Sequence, residues 1–314
     1  MSGLNLTRFF LPRRASVAIV AGRALGRAAV RVQRLGRLSA ICIGAVLTTG
    51  NATAAPERLS DHCWDQTFVD NFDVLKLEDP ATGQTGWKTA YIWPRDVIIN
   101  NEMQYYVDPD IHGVNPFSIN DGVLRISATK TPSALLPKVA QQPDLSGVLT
   151  TENGFSQQYG RFEARLKVPR GKGLWSAFWL LPSFDQWPKG IAILPEIDVM
   201  EAIGHELRSF HTTLHTNQTG KLTSHPYDHT VPPVLSDDFH LFSVVWTPDN
   251  VTWYFDRQQM AQHPTPKDFT RPVHFLLNLA VGGSWPGEPD NRTRFPAHFD
   301  IDYVKAWRTN GSCD

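Results

Sequence analysis

Three acidic residues lie within the six positions of an otherwise apolar segment, EIDVME, which contains Glu196, Asp198 and Glu201. Residues two apart on a strand share a face, so the first two acids would point together and Glu201 would point into the core. A β-bulge at Val199–Met200 would insert one extra residue and return Glu201 to the face of Asp198. The alternative is a buried, unpaired carboxylate, which costs several kcal/mol. The spacing therefore predicts a bulged strand with all three acids on one open face.

Carboxyl groups placed in this way suit glycoside hydrolysis. In the retaining form of that reaction, two carboxyl groups lie about 5–5.5 Å apart, one as nucleophile and one as acid and base. A regular strand would hold Glu196 and Glu201 farther apart, so the bulge, the sheet twist and the long side chains must shorten the distance. The spacing permits the mechanism. The other interpretation, acids that merely decorate a surface strand, is disfavoured because strands rarely contain such clusters.

The rest of the sequence indicates an all-β protein. Short alternating runs are separated by Gly, Pro, Asn and Asp, without a long helical period. In RFEARLKV the apolar residues fall on one side: Phe162, Ala164, Leu166 and Val168. We predict a single β-jelly-roll sandwich of two antiparallel sheets over residues 56–314, with a concave substrate cleft.

The first 55 residues differ from the rest. They hold eight Arg, no Lys and no acid, and the apolar run LSAICIGAVL precedes small residues around Ala54 and Ala55. This pattern is typical of a signal segment that is removed on export, so we expect a secreted or periplasmic protein. An organellar transit peptide also fits the composition. A retained membrane anchor is a third interpretation, although the run is short for a membrane span.

Removal of that segment would leave 22 basic residues, the full 30 less eight Arg, against 31 acidic ones, a net charge of −9. An acidic surface repels nucleic acid and anionic membranes, so we expect neither as a partner of the mature form and a neutral ligand instead. Two cysteines would remain, Cys63 and Cys313, one near each end. In an oxidising compartment a disulfide between them is expected, and two free thiols are the alternative.

Four longer stretches accompany the acidic segment in a recognisable order: NNEMQYYVD (100–108), YGRFEARLKVPRGKGLWSAFWLLP (159–182), NLAVGGSWPG (278–287) and FDIDYVKAW (299–307). Together with EIDVME they resemble glycoside hydrolase family 16, in its laminarinase-like branch. The stretches are similar to the family's cleft-mouth segment, central strands, cleft-edge loop and last strand. The resemblance covers essentially the whole chain after the N-terminal segment.

The resemblance implies a role for each acid. Glu196 would be the nucleophile that attacks the anomeric carbon, and Asp198 would hydrogen-bond to it and adjust its ionisation. Glu201 would be the general acid and then the general base, kept protonated by the neighbouring anions. The implied reaction is an endo-acting cut with retention of configuration and without a cofactor.

Sugar binding is assigned to aromatic faces and polar side chains along the cleft. The predicted substrate-binding residues are Asn101, Glu102, Gln104, Trp175, Trp179, His215, Asn278 and Trp285. Among them, His215 rests on the resemblance alone. Core packing is the alternative for Trp175 and Trp179, which are four apart and share a strand face. The tryptophans expected in the core are Trp246, Trp253 and Trp307.

The sequence offers two candidate metal sites. His211 and His215 form an HxxxH pattern, but the Thr-rich segment predicts a strand, which separates them by roughly 13 Å, too far for one zinc ion. The family often carries a structural calcium, and the resemblance places a carboxylate ligand at Asp302 and a carbonyl ligand at Gly122. A simple strand-end cap is the other interpretation of Asp302.

The predicted function is a retaining endo-β-glucanase that cuts β-1,3 or mixed β-1,3-1,4 glucan as a monomer. The alternatives are an endo-glycanase for a bacterial exopolysaccharide of the succinoglycan type, a non-catalytic glycan-binding module and a transglycosylase. Two departures from the family pattern leave the linkage preference open. Ser176 stands where Pro is expected, and TAYIWPRDVI (89–98) is bulkier than a Gly-rich segment.

Overall fold

The computed structural model describes residues 58–59, 61–79, 81–183 and 195–311. The N-terminal segment, residues 1–55, and Cys313 lie outside these ranges, so the signal, the export and the domain boundary stay predictions. Cys63 is disulfide-bonded, and its pairing with Cys313 stays a prediction as well. In the described part of the chain, no helix is long and apolar enough to cross a membrane.

The described residues form sixteen strands, one α-helix and one 3₁₀-helix. In chain order these are β1 (Trp64–Asp70), β2 (Gln104–Tyr106), α1 (Pro109–His112), β3 (Phe117–Asn120), β4 (Val123–Lys130), η1 (Leu136–Lys138), β5 (Asp144–Ser146), β6 (Val148–Thr150), β7 (Gly160–Lys167), β8 (Leu174–Pro182), β9 (Glu196–Ile203), β10 (Ser209–Thr216), β11 (Thr223–Thr230), β12 (His240–Trp246), β13 (Asn250–Phe255), β14 (Gln258–Pro264), β15 (Val273–Val281) and β16 (Ala297–Thr309).

The strands form two sheets. The large sheet has the order β14-β13-β12-β7-β16-β4-β5-β2, with β1 paired to β16 and β3 paired to β4. The small sheet has the order β11-β10-β9-β8-β15-β6. Strand pairing is antiparallel except between β2 and β5, which run parallel. The predicted all-β sandwich is confirmed, and only this short pair departs from the antiparallel pattern.

Apolar side chains of both sheets meet in one core. On β7 the alternation predicted from the sequence is present, with Phe162, Ala164 and Leu166 fully buried. Trp246 and Trp253 are buried in the same core, as predicted. Removal of this apolar surface from water is the main force that holds the two sheets together. The packed core leaves the other face of the small sheet, its outer face, available for a site.

Trp307 was expected in the core, and that prediction is wrong. Along β16, the pairing with β7 skips Asp302, so this residue is a bulge. A bulge reverses the alternation of inward and outward side chains. Val304 and Ala306 therefore enter the core. The ring of Trp307 lies on the outer face of the large sheet, where the guanidinium carbon of Arg161 is 4.4 Å from its centre.

The start of β8 lies very close to the loop that follows β15. Gly173, just before β8, has a φ of +76°, and a Cβ there would collide with the backbone nitrogen of Pro289. The carbonyl of Gly173 accepts a hydrogen bond from the backbone nitrogen of Gly282 at 2.7 Å. Gly220 has the same φ of +76°, but nothing lies within 4 Å of a Cβ at that position.

We expect Gly173→Ala to destabilise the fold much more than Gly220→Ala. Both changes place a side chain at the same positive φ, which costs about 1–2 kcal/mol. Only Gly173→Ala also forces the backbone at Pro289 to move. Thermal unfolding of the two variants measures the difference, with Gly220→Ala as the matched control. Equal losses of Tm would contradict the close approach.

Candidate active site

The three acids lie on β9, in the middle of the small sheet, and β9 contains the predicted bulge. The pairing of β9 with β8 passes from Met200 directly to Asp198 and skips Val199. Val199 and Met200 both belong to the hydrophobic core. Because two consecutive residues turn inward, Glu201 returns to the outer face that Asp198 occupies.

A tryptophan of the large sheet holds the bulge in place. Trp253 on β13 donates a hydrogen bond from its indole Nε1 to the backbone oxygen of Asp198 at 2.9 Å. A bulge interrupts the regular ladder of backbone hydrogen bonds, so a buried carbonyl there needs a partner from elsewhere. The core residue Trp253 supplies that partner to the strand that carries the acids.

Glu196, Asp198 and His215 form a compact group. His215 on β10 is the cross-strand partner of Glu196, and its Nε2 lies 3.0 Å from Oδ2 of Asp198. The other ring nitrogen, Nδ1, lies 2.8 Å from Oγ of Ser224. Ligand atoms of the three residues all lie within 4.8 Å of one another, which makes them the one group in the described ranges with the geometry to hold a metal ion. The structure thus places His215 beside the acids.

Burial and mutual repulsion raise the pKa of all three carboxyl groups. The pKa of Glu196 is raised well above its usual value by burial and then by the charge of Asp198. Burial and then the charge of Glu201 raise the pKa of Asp198. Burial and then the charge of Glu196 raise the pKa of Glu201 to about 8, although a hydrogen bond from Trp175 acts in the opposite direction. At neutral pH, Glu201 therefore holds a proton.

Aromatic rings extend from Glu201 along the outer face. Trp175 donates from Nε1 to Oε1 of Glu201 at 3.2 Å. The rings of Trp175 and Trp285 meet edge to face with their centres 5.2 Å apart. Both tryptophans are partly exposed. The structure therefore brings these two predicted sugar-binding residues to the acids and leaves ring surface open to a ligand.

His211 carried no predicted role, yet it lies in the same site. It is the cross-strand partner of Glu201 and is only 6% exposed. Its ring nitrogens lie 2.8 Å from Oδ1 of Asp228 and 3.2 Å from Oε2 of Glu206. The signal that could have found it is strand alternation, because His211 and His215 are four apart and share a face. Among the described residues, no group with metal-binding geometry contains both histidines.

Trp179 and Asn278 lie on the predicted face but are covered. Trp179 is 7% exposed, and the ring of Tyr91 packs against it with the centres 5.6 Å apart. Asn278 accepts a hydrogen bond from Nε1 of Trp179 at 2.8 Å and donates one to the hydroxyl of Tyr106 at 3.0 Å. Direct contact of Trp179 or Asn278 with a glycan stays a prediction. In the structure both support the aromatic residues packed above them.

The remaining predicted polar residues precede or begin β2. The buried carboxyl of Glu102 accepts hydrogen bonds from Nδ2 of Asn100 at 3.1 Å and from Nε2 of Gln104 at 2.6 Å. Burial raises the pKa of Glu102 to about 7, against the effect of these two bonds. Asn101 is exposed and donates to Oγ of Ser284 at 2.8 Å. The bond from Asn101 joins the cleft-mouth segment to the loop that carries Trp285.

The residues predicted to bind calcium form an incomplete site. Asp302 accepts a hydrogen bond from Nη1 of Arg165 at 2.7 Å, so an arginine already neutralises its carboxylate. Gly122 lies in the turn between β3 and β4 with a φ of +74°. Calcium takes about six to eight oxygen ligands, and this pair offers only one carboxylate and one carbonyl. Within the described ranges, Asp302 belongs to no cluster of metal-ligating side chains.

Known proteins are similar to this chain in sequence. The endo-1,3-1,4-beta-glycanase ExsH of Rhizobium meliloti (strain 1021) is 37% identical over 249 residues, which is 77% of this chain and 51% of that protein. The chain therefore spans about half the length of that relative. The beta-glucanase of Rhodothermus marinus is 30% identical over 299 residues, which is 88% of this chain and 95% of that protein.

The structure also has solved counterparts. The catalytic domain of an endo-1,3-beta-glucanase (laminarinase) from Thermotoga petrophila RKU-1 superimposes with a TM-score of 0.65 at 30% identity, over 79% of this chain and 98% of that one. The sequence pattern described as Glycosyl hydrolases family 16 matches residues 111–305, which include all three acids. The chain belongs to glycosyl hydrolases family 16.

Proposed function

We propose that this chain is a retaining endo-β-glucanase that hydrolyses β-1,3 or mixed β-1,3-1,4 glucan. The observation that carries the proposal is the bulge at Val199, which brings Glu196, Asp198 and Glu201 to one face, with Asp198 buried between two partly exposed glutamates. Relatives named as an endo-1,3-1,4-beta-glycanase, a beta-glucanase and a laminarinase support the substrate class. The net charge of −9 after residue 55 suits a neutral polysaccharide.

In the first step, the carboxylate of Glu196 attacks the anomeric carbon and forms an ester with it. The glycosidic bond breaks, and Glu201 donates its proton to the departing oxygen, so the released sugar leaves as a neutral alcohol. The pKa of Glu201, raised to about 8, keeps this proton available at neutral pH.

In the second step, water hydrolyses the ester between the sugar and Glu196. The Glu201 carboxylate removes a proton from water, and the oxygen attacks the anomeric carbon from the side that the leaving group occupied. The ester bond to Glu196 breaks, and both glutamates return to their starting states. Two displacements at one carbon give net retention. Side chains and water suffice for this chemistry, without a cofactor.

Asp198 would adjust the charge on the nucleophile. The carboxyl groups of Glu196 and Asp198 share a hydrogen bond, and His215 contacts Asp198. With its proton on Glu196, this bond raises the pKa of Glu196 and lowers that of Asp198, so the attack requires the arrangement in which Asp198 holds the proton. A proton held by Asp198 can bond to the Glu196 carboxylate and favour its ionised, nucleophilic form. Once the ester has formed, that bond has lost its charged acceptor and weakens, which favours the return of the carboxylate.

Replacement of the nucleophile tests the proposal. Glu196→Gln keeps the size of the side chain but cannot form the ester, so reducing-end release from laminarin and lichenan should fall by about a thousandfold or more. Glu78→Gln makes the same change at a glutamate that contacts Asn153, and it should keep full activity. If the native protein cuts neither glucan, the proposed function fails, and cleavage of an exopolysaccharide instead would favour the alternative endo-glycanase.

Azide separates the roles of the two glutamates within the same experiment. In Glu196→Ala, azide can enter the vacated space and attack an activated aryl glycoside directly, which gives the α-glycosyl azide. In Glu201→Ala, the glycosyl ester still forms and azide then displaces Glu196, which gives the β-glycosyl azide. The opposite pair of products would reverse the assignment.

The pH profile should report the pKa of Glu201. Because Glu201 must be protonated in the free enzyme, kcat/KM should fall as the pH rises through about 8. Trp175→Phe removes a hydrogen bond that favours the carboxylate, so the basic limb should move to higher pH. Trp285→Phe leaves that bond intact and should not move the limb. A basic limb that stays or falls in Trp175→Phe would contradict the role of Glu201.

We also propose a structural calcium ion with two protein ligands. Asp302 would share its carboxylate between Arg165 and the ion, the Gly122 carbonyl would be a second ligand, and water would complete the shell. An ion that binds only the folded state raises its stability. EDTA should therefore lower the Tm of the native protein and leave the Tm of Asp302→Asn unchanged. A native Tm that is the same with and without EDTA excludes the site.

A further inference from the structure

Residues 89–99, TAYIWPRDVII, lie over the outer face of the small sheet. They cover an apolar cluster that is separate from the core: Tyr91, Val148, Ala177, Trp179, Leu181 and Leu276, with Trp93 and Tyr106 packed against it. Val148, Trp179 and Leu276 come from three neighbouring strands, β6, β8 and β15. One loop thus places aromatic side chains on the sheet face that also carries the acids.

Direct contacts lead from the acids to this loop. Asp198 pairs with Trp179 on the neighbouring strand, and Tyr91 packs on Trp179 with ring centres 5.6 Å apart. The ring of Trp93 lies 4.4 Å from that of Tyr91, with the planes inclined by 31°. Neighbouring strands are about 4.8 Å apart. The aromatic loop therefore begins one or two strand spacings from the acids, a distance that a bound oligosaccharide covers.

A pocket open to solvent lies against the loop. Trp93, apolar side chains such as Ile99, and the polar residues Glu102 and Gln104 line it. Trp93 stays partly exposed while Tyr91 behind it is buried. The pocket thus combines an accessible indole with polar groups, the combination that a sugar ring requires.

The polar side of the pocket is fixed by hydrogen bonds. Gln104 donates to Glu102 at 2.6 Å and accepts from the backbone nitrogen of Val281 at 2.7 Å, which ties both side chains to β15. Burial raises the pKa of Glu102 to about 7. Near neutral pH its carboxyl group can therefore donate as well as accept a hydrogen bond, as a sugar hydroxyl can.

The pocket has no free positive charge to attract an anion. Its one lining cation is Arg95. The guanidinium donates to Oγ1 of Thr89 at 2.6 Å and pairs with Oδ2 of Asp108 at 3.3 Å. With that charge neutralised and Glu102 alongside, the electrostatics favour a neutral ligand over an acidic sugar.

We propose that Trp93 stacks on one pyranose ring of a neutral glucan and that Glu102 binds a hydroxyl group of the same ring. This subsite is separate from the bond that is cut, and neither residue takes part in bond cleavage. Its substrate class rests on the proposed function. The subsite adds binding energy only for chains long enough to reach it, so it selects for substrate length.

A length series of β-1,3-gluco-oligosaccharides tests the subsite. For the longer substrates, Trp93→Ala should lower kcat/KM about tenfold, mainly through KM, which corresponds to about 1.4 kcal/mol of binding. For the shortest substrate that is cut, the two proteins should differ by less than about twofold. Trp93→Tyr, which keeps an aromatic face, should recover most of the loss. Trp64→Ala on β1 of the large sheet is the control and should show no dependence on length.

Two results would overturn the inference: an equal loss at every length, which indicates a structural role, or no loss at any length. Binding without turnover keeps the inference separate from the proposed function. Glu196→Gln should be retarded in native gels that contain laminarin, and the double variant with Trp93→Ala should be retarded less. If native protein cuts no glucan but this difference appears, the proposed function fails and the subsite stands. If both variants are retarded equally, the subsite fails.

Discussion

The hydrogen bond from the Trp253 indole to the backbone oxygen of Asp198 crosses the core and joins the two sheets where β9 is irregular. One extra residue, Val199, decides which face Glu201 occupies. Without it, that carboxyl group would enter a core of aromatic and aliphatic side chains and lose its solvation. The chemistry on the outer face thus depends on a polar contact made in the interior, by a residue that no substrate can touch.

Burial has two effects on the acids, and they act together. It removes solvent that would stabilise negative charge, and it lowers the local dielectric constant, so that neighbouring carboxyl groups repel one another more strongly. The surroundings of the carboxyl groups differ from one acid to the next. Glu201 receives a hydrogen bond from Trp175, whereas Asp198 faces His215. Neighbours of this kind allow chemically similar carboxyl groups to hold different protonation states at one pH.

The bulge on β9 could be predicted from the sequence because, without it, the carboxylate of Glu201 would be buried in the core, which is energetically unfavourable. The same device on β16 was missed, although the apolar residues there also change register, from Ile301 to Val304. Strand alternation likewise predicted the face on which Trp179 lies. It did not predict that Tyr91 covers Trp179, because alternation within a strand does not indicate which loop packs on the sheet. Tyr91 lies almost ninety positions away, and such long-range contacts leave no local signal. His211, by contrast, could have been placed by alternation from His215.

The aromatic loop at 89–99 lies between β1 and β2, far in the chain from β9. Its contacts with the sheet are made by side chains, and the hydrogen-bond ladder of the acidic strand does not pass through it. Insertions or substitutions in this loop can therefore change the surface beside the acids, while β9 keeps its pairing with the neighbouring strands. A variant of the loop and a variant of the acidic strand can therefore be made independently, and the effect of each can be measured against the unchanged other.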